Sequence, residues 1–314
     1  MILRFLVFLS RRGTGLLASG LFIGLAAPML AAALRPALET MIFVLTVVTM
    51  LRIDWPQVFV HARRPGRLVH SLAGSLVLSP VLVVLAVRAL GLPEGISRAL
   101  VLWAASPPLI SLPAIAFLIG LDGALALLVM VTGTLLVPLI LPPLVLGLLG
   151  LKLSIGIPAL MGRLAAFVAG ALAVSGLIRW LLGTERLRRH AAPINGVNVL
   201  LLMVFAIAIM DGMQTVIAER PLTVLLFAGT TLATSLVFQG VSVLAFAWLD
   251  RVSALTIGLS GGNKNMAIVW ANLGAAAAAP DLMLFFVCLQ LPIYVLPWVL
   301  APAYRRFGAA SPAD

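Results

Sequence analysis

Long apolar runs, separated by short polar clusters, follow one another along almost the whole of this 314-residue chain. A helix that crosses the hydrocarbon core needs roughly 20 predominantly apolar residues. Runs of about that length are predicted at 14–34, 36–54, 68–91, 97–119, 122–149, 154–182, 193–217, 221–248, 252–277 and 280–303. The connections between them are too short to hold a soluble domain. Met1 to Ser10 is also apolar, but it is too brief to span and Arg11-Arg12 follow it. Residues 1–13 are therefore expected to form an interfacial lead-in rather than a cleaved signal. Composition agrees with the pattern: hydrophobic residues make up 62% of the chain, charged residues 10%, and mean hydropathy is +1.18. These values lie outside the range of soluble globular domains. The expectation is an all-α integral membrane protein with ten transmembrane helices.

A net charge of +11 in a soluble protein would point to nucleic acid; here the placement of the charges excludes that partner and sets topology instead. Arg4, Arg11, Arg12, Arg52, Arg63, Arg64, Arg67, Arg179, Arg186, Arg188, Arg189, Arg251, Arg305 and Arg306 fall on one side of the predicted bundle. Arg35, Arg88, Arg98, Lys152 and Arg220 fall on the other. The positive-inside rule makes the richer side cytoplasmic and puts both termini there, as an even number of spans requires. Trp55, Trp180, Trp248 and Trp298 lie near predicted span ends, where aromatic belts sit. A bacterial inner membrane is the expected location, with membrane lipid as the surrounding partner.

Enzyme chemistry finds little support. Cys288 is the single cysteine, so no disulfide can form within the chain. His61, His70 and His190 lie in or beside loops without a cysteine or carboxylate cluster, and no zinc-ligand spacing occurs. No His-Glu-x-x-His run or pair of aspartates in one span is present. Neither a cofactor nor a metal is expected.

Ten spans divide into two sets of five, and an odd number per half inverts the second half relative to the first, which is the arithmetic of an inverted-repeat transporter. Both halves carry a helix-breaking signal in the fourth span. In the first it is Ser106-Pro107-Pro108-Leu109-Ile110-Ser111-Leu112-Pro113, which cannot continue as regular α-helix because each proline lacks a backbone donor and crowds the carbonyl four residues earlier. In the second it is Ser260-Gly261-Gly262-Asn263-Lys264-Asn265, where a lysine, two asparagines and a glycine pair interrupt an apolar run. Helices 4 and 9 are thus expected to be discontinuous and to cross. Half-helix N-termini at such a crossing favour an anion, Lys264 adds a full charge, and the Asn263 and Asn265 amides are suited to capping freed groups or to binding a carboxylate. The competing expectation is that Lys264 serves carbonyls at the break or snorkels to an interface.

These residues resemble the bile acid:sodium symporters, organic-anion transporters with ten helices in two inverted repeats. The likeness is clearest over Ser106 to Pro142, where Asp122-Gly123-Ala124-Leu125 and Thr134-Leu135-Leu136-Val137-Pro138-Leu139 look like the family's crossover helix and its successor. It is clear again over Ser260 to Asn265, which is similar to the family's Glu-x-Gly-x-Gln-Asn. The resemblance implies a panel of residues 14–66 and 151–219 and a core of 67–150 and 220–307, with 308–314 as a C-terminal tail. Substrate is then expected between core and panel and sodium behind the crossover. The motif keeps Gly262 and Asn265, but the family's sodium-binding Glu falls on Ser260 and its Gln on Lys264. The Ser-Asn pair of the first crossover falls on Leu112-Pro113, the hydroxyl ligands of the next helix on Ala126 and Met130, and a third-helix Gln on Ser75.

An alkali cation is held by a shell of oxygen atoms, and those replacements remove most of the shell while placing an ammonium in it. Lys264 is therefore expected to act as a tethered surrogate cation. Reversible release of its proton would couple transport to protons, and a permanently charged lysine would make a uniporter. Sodium held by remaining carbonyls and Ser260 is the alternative. Secondary cavity candidates are Trp103, Ser75, Asp211 and Gln239, with Trp270, Asn195 and Asn198 as weaker ones. The leading reading is a secondary transporter of a small organic anion; a non-transporting membrane sensor and an intramembrane enzyme are the readings from other classes.

Overall fold

Once a chain enters hydrocarbon its backbone donors and acceptors must be satisfied internally, and helix is the local way to do it. The computed structural model describes residues 2–309 apart from Arg12, Asp54, Gln57, residues 59–64, Ala275, Ala276 and Ala278. The expectations attached to Arg12, His61, Arg63 and Arg64, and to the side chains of Arg11, Arg67 and Trp298, lie outside the described residues. Among the described residues the regular structure is helical, and the only pairing between extended backbones is an isolated antiparallel bridge.

In chain order the helices are α1 (Ile2–Arg11), α2 (Gly13–Ala26), α3 (Pro28–Leu34), α4 (Leu38–Leu51), α5 (Pro65–Ala73), α6 (Ser79–Ala89), α7 (Glu94–Ala105), α8 (Leu112–Leu118) and α9 (Gly123–Pro142). They continue with α10 (Ile157–Leu182), α11 (Thr184–Arg189), α12 (Ala191–Ala208), α13 (Met213–Glu219), α14 (Pro221–Ala245), α15 (Arg251–Gly262), α16 (Met266–Asn272), α17 (Pro280–Cys288) and α18 (Gln290–Ala309). Seven stretches among the described residues are long and apolar enough to span: Pro28–Leu51, Leu68–Ala89, Gly123–Leu148, Ile157–Leu182, Ala191–Ala208, Pro221–Ala245 and Pro280–Pro297. The protein is a multi-pass, all-helical membrane protein.

Differences from the expected spans have local causes. The runs 97–119 and 252–277 are each cut into a helix of 12 residues and one of 7. At 1.5 Å per residue, 12 residues reach only about 18 Å. The boundary expected at Arg35 falls instead at Ala27, where Pro28 opens a new helix. Arg35-Pro36-Ala37 is absorbed as one 3₁₀ turn leading into α4. The run 193–217 stops at Ala208, and Gly212, at φ 75°, takes the left-handed conformation that starts α13.

Two compact units contain these helices. The first comprises residues 1–53 and 166–225. In it α12 is the central post, with α1, α2, α3 and α4 packed along it. Small residues let the backbones meet: a methyl group on Gly24 would lie 2.7 Å from the Ile207 carbonyl oxygen, and one on Gly196 would lie 2.0 Å from that of Leu6. The lead-in helix α1 is therefore seated on α12. Arg179 closes the end of α4 by donating to the Leu51 and Ile53 carbonyls, at 2.7 Å each. The second unit comprises 54–165 and 226–314. It contains both interrupted helices, and its buried clusters form on either side of α15, around Leu76, Val129 and Ile257 and around Leu112, Ala126 and Leu259.

Replacing Gly196 by alanine should force α1 away from α12, at a cost of about 1–3 kcal/mol typical of overpacking. Thermal unfolding in detergent should show a lowered midpoint for Gly196→Ala, whereas Gly162→Ala, where a methyl meets nothing within 4 Å, should not melt below the parent.

Candidate functional site

The first interruption follows from its prolines. Pro107 and Pro108 lack N–H groups, so α7 stops at Ala105 and Ser106 turns extended at φ −66°, ψ 151°. The Ser106 hydroxyl, with its residue 0% exposed, donates back to the Leu102 carbonyl at 2.7 Å. That bond fills one of the acceptors stranded at a helix end. Pro113 occupies the second position of α8, where a missing donor is harmless. Ser111 precedes that helix half-buried and makes no cap bond.

The second interruption has a different origin from the one expected. Gly261 and Gly262 are not where the helix breaks, since α15 runs through both and neither has positive φ. Their role is close approach. A methyl on Gly261 would meet Ser242 Oγ at 2.0 Å, and one on Gly262 would meet the Ser235 carbonyl oxygen at 2.2 Å, both on α14. The break comes at Asn263, with φ −120° and ψ 93°, whose Nδ2 donates to the Leu259 carbonyl at 2.8 Å. Each interruption is thus closed by a side chain returning to the carbonyl four residues earlier.

Two main-chain bonds join the interruptions. Leu109 N–H donates to the Asn263 carbonyl at 2.9 Å, and Asn265 N–H donates to the Pro107 carbonyl at 2.7 Å. Pro108 and Lys264 stand opposite each other between these bonds. They form a non-hydrogen-bonded pair, so the donor that Pro108 lacks is one the bridge does not use. Gly133 on α9 makes room for the proline ring, because a methyl there would lie 2.8 Å from Pro108 Cδ.

Lys264 is 0% exposed, and its Nζ donates to the Ser75 carbonyl at 2.7 Å and to Ser75 Oγ at 2.6 Å. Ser75 lies in a π-helical turn, Gly74–Leu78, between α5 and α6. There the Ser79 N–H, which would serve Ser75 in an α-helix, bonds Gly74 instead. In the widened register the donor due to Ser75 would come from five residues on, and residue 80 is a proline. The turn and the proline together free one carbonyl, and the ammonium takes it. No ion pair to Lys264 exists among the described residues.

Other predicted residues divide between the units. Around the crossing, Ser260 is 1% exposed with no partner for its Oγ, and the Asn265 Nδ2 is likewise unpartnered. Trp103 is buried edge-on to Phe238, with centroids 5.6 Å apart and its indole N–H unpaired. Gln239 lies against Gly262; its Oε1 accepts from the Tyr304 hydroxyl at 2.6 Å while its Nε2 has no partner. Trp270 stacks on Phe286 at 5.3 Å. Asp211 belongs to the first unit, in the turn after α12, where it accepts from Arg35 at 2.8 Å. The ion pair is partly exposed, and the helix ends before reaching Asp211. Asn195 and Asn198 are also in the first unit, on α12, each with a buried and unpartnered Oδ1. Sequence reasoning missed Tyr304 and the π turn; the spacing of Ser75 and Pro80 was the available signal for the latter.

No protein-family model matches the chain, and no curated protein matches it.

Removing the Lys264 side chain should leave a buried carbonyl unpaired, at a cost of about 1–3 kcal/mol, so Lys264→Ala should melt below the parent. Pro80→Ala restores a backbone donor to the third span. The loss caused by Lys264→Ala should therefore be smaller in a Pro80→Ala background, which a double-mutant cycle of unfolding midpoints would measure.

Proposed function

We propose that this protein is a secondary transporter of a small organic anion, working by alternating access and built from ten transmembrane helices in two inverted five-helix repeats. The likeness of the interruptions supports the repeat. Each consists of a 12-residue helix, an extended junction capped from its own side chain, and a 7-residue helix. On this reading helices 4 and 9 are the discontinuous pair, the termini are cytoplasmic, and the membrane is a bacterial inner membrane. The protein has no catalytic chemistry.

The observation that carries the reading is the Lys264 ammonium, fully buried at the crossing and bonded to Ser75 without a carboxylate partner. Buried unpaired charge is costly in a membrane and marks functional sites. Its position beside the C-terminus of α15 favours a cation, since helix dipoles turn their negative ends there. Lys264 accordingly stands in for a coupling ion, holding the crossing to the third span, and transport proceeds without sodium, either driven by protons or as uniport. The unpartnered hydroxyl of Ser260 favours one second reading, sodium coupling through residual oxygens.

Reconstituted protein should exchange ¹⁴C-labelled butyrate, benzoate or cholate in liposome counterflow, at the same rate in sodium and in choline buffers, and Lys264→Ala should abolish the exchange. Uptake that requires sodium in the parent protein would overturn the surrogate role. Binding of these acids without any counterflow would replace transport by sensing.

A further inference from the structure

Arg163 lies within the span of α10, six residues after Ile157 opens the helix, and no other charge follows until Arg179. Six residues advance about 9 Å along a helix axis. The 26 residues of α10 measure about 39 Å, against a hydrocarbon layer of about 30 Å, so in a centred, upright helix the arginine starts several ångströms inside the apolar layer. Its face of the helix is defined by its neighbours. Leu160 and Leu164 are 0% exposed and pack inward, whereas Ala159, Gly162 and Arg163 are exposed. A methyl on Gly162 would meet nothing within 4 Å. Arg163 therefore faces outward from a low shelf of small side chains.

Side chains on a helix lean towards its N-terminus, so Arg163 reaches back towards the nearer membrane surface. Its guanidinium lies over Gly274, in the turn after α16, where a methyl on the glycine would collide with Nη1. Among the described residues nothing accepts a hydrogen bond from Arg163, and no carboxylate pairs with it. Asp281, in the first turn of α17, is packed instead against Gly95 of α7. Lys152, exposed in the connection before α10 and also without an ion pair, adds a second positive charge at this end of the helix. A lipid-facing guanidinium without an acceptor is an unfavourable arrangement. The acceptors at that depth belong to the lipid.

We infer that Arg163 centres a binding site for the headgroup of an anionic phospholipid, which it holds by the phosphate in the leaflet that meets the start of α10. The planar guanidinium presents paired donors that match two phosphate oxygens. The open surface at Gly162 leaves the glycerol end room beside the charge, and the acyl chains run on along the exposed face of α10. A zwitterionic headgroup would set its own ammonium against Arg163 and Lys152, so a net negative headgroup is preferred. Because the guanidinium also rests on Gly274, the bound phosphate sits where α10 meets the turn behind one of the interrupted helices. The site requires a membrane-spanning α10 and is independent of transport.

Full-length protein in dodecyl maltoside micelles is mixed with dioleoyl phosphatidylglycerol or dioleoyl phosphatidylcholine, and the lipid retained per protein is counted by native mass spectrometry. The parent should retain phosphatidylglycerol at concentrations where phosphatidylcholine is lost. Arg163→Gln breaks no bond within the protein, so its lipid-free melting midpoint should match the parent's. It should nevertheless need about tenfold more phosphatidylglycerol for the same occupancy of the tightest site, the scale of one hydrogen bond to a charged group. Arg188→Gln, beyond the opposite end of α10, should retain the lipid as the parent does. Gly162→Leu, which fills the shelf without touching a charge, should weaken retention as Arg163→Gln does. Phosphatidylglycerol held no more tightly than phosphatidylcholine, or held equally by the parent and by either Arg163→Gln or Gly162→Leu, overturns the site. Binding of ³²P-orthophosphate to lipid-free micelles at the same concentrations, lost in Arg163→Gln, would assign the site to a soluble phosphate and overturn the lipid.

Discussion

Backbone groups that lose their helical partners inside a membrane must find others, since each one left bare costs several kcal/mol. That constraint shapes the whole crossing. Leu109 and Asn265 spend their N–H groups on each other's strands, Pro107 and Pro108 have none to spend, and Ser106 and Asn263 use side chains to reach carbonyls stranded at the ends of α7 and α15. The two interruptions complete one another, and neither would be tolerable alone. Gly133 and the Gly261-Gly262 pair let α9 and α14 approach the junction closely.

The same reasoning ties the third span to the crossing. A π turn next to Pro80 leaves the Ser75 carbonyl without a donor from its own helix, and Lys264 supplies one from another. An ammonium brought so far from water is an unusual choice for a task an amide would do. What the amine adds over an amide is a third donor, and it reaches both the carbonyl and the hydroxyl of Ser75.

Much of this was legible in the chain. The apolar runs and the scarcity of charge dictate a membrane protein, and Pro107-Pro108 forbids a continuous helix over 97–119. The polar cluster at 260–265 marks the second interruption, but within it the helix continues through Gly261 and Gly262 and breaks at Asn263. Glycine signals both a break and a close approach, and only the backbone path, with α15 continuing to Gly262, distinguishes them. Asp211 looked intramembrane because the residues on either side of it are apolar, yet a left-handed glycine directly after it ends the run. The π turn leaves the apolar pattern of the third span intact while shifting its hydrogen bonds by one residue, so hydropathy alone is blind to it. The Tyr304 contact with Gln239 joins helices 65 residues apart in sequence, and no local pattern encodes that.

An amine attached through its own side chain differs from a dissolved ion in one respect that reaches beyond this junction. Its local stoichiometry is fixed at one by covalent bonds, and the salt content of either compartment neither loads it nor empties it. On the proposed reading, a junction furnished in this way keeps its shape in fresh water as in brine and draws no work from an alkali-metal imbalance across the bilayer.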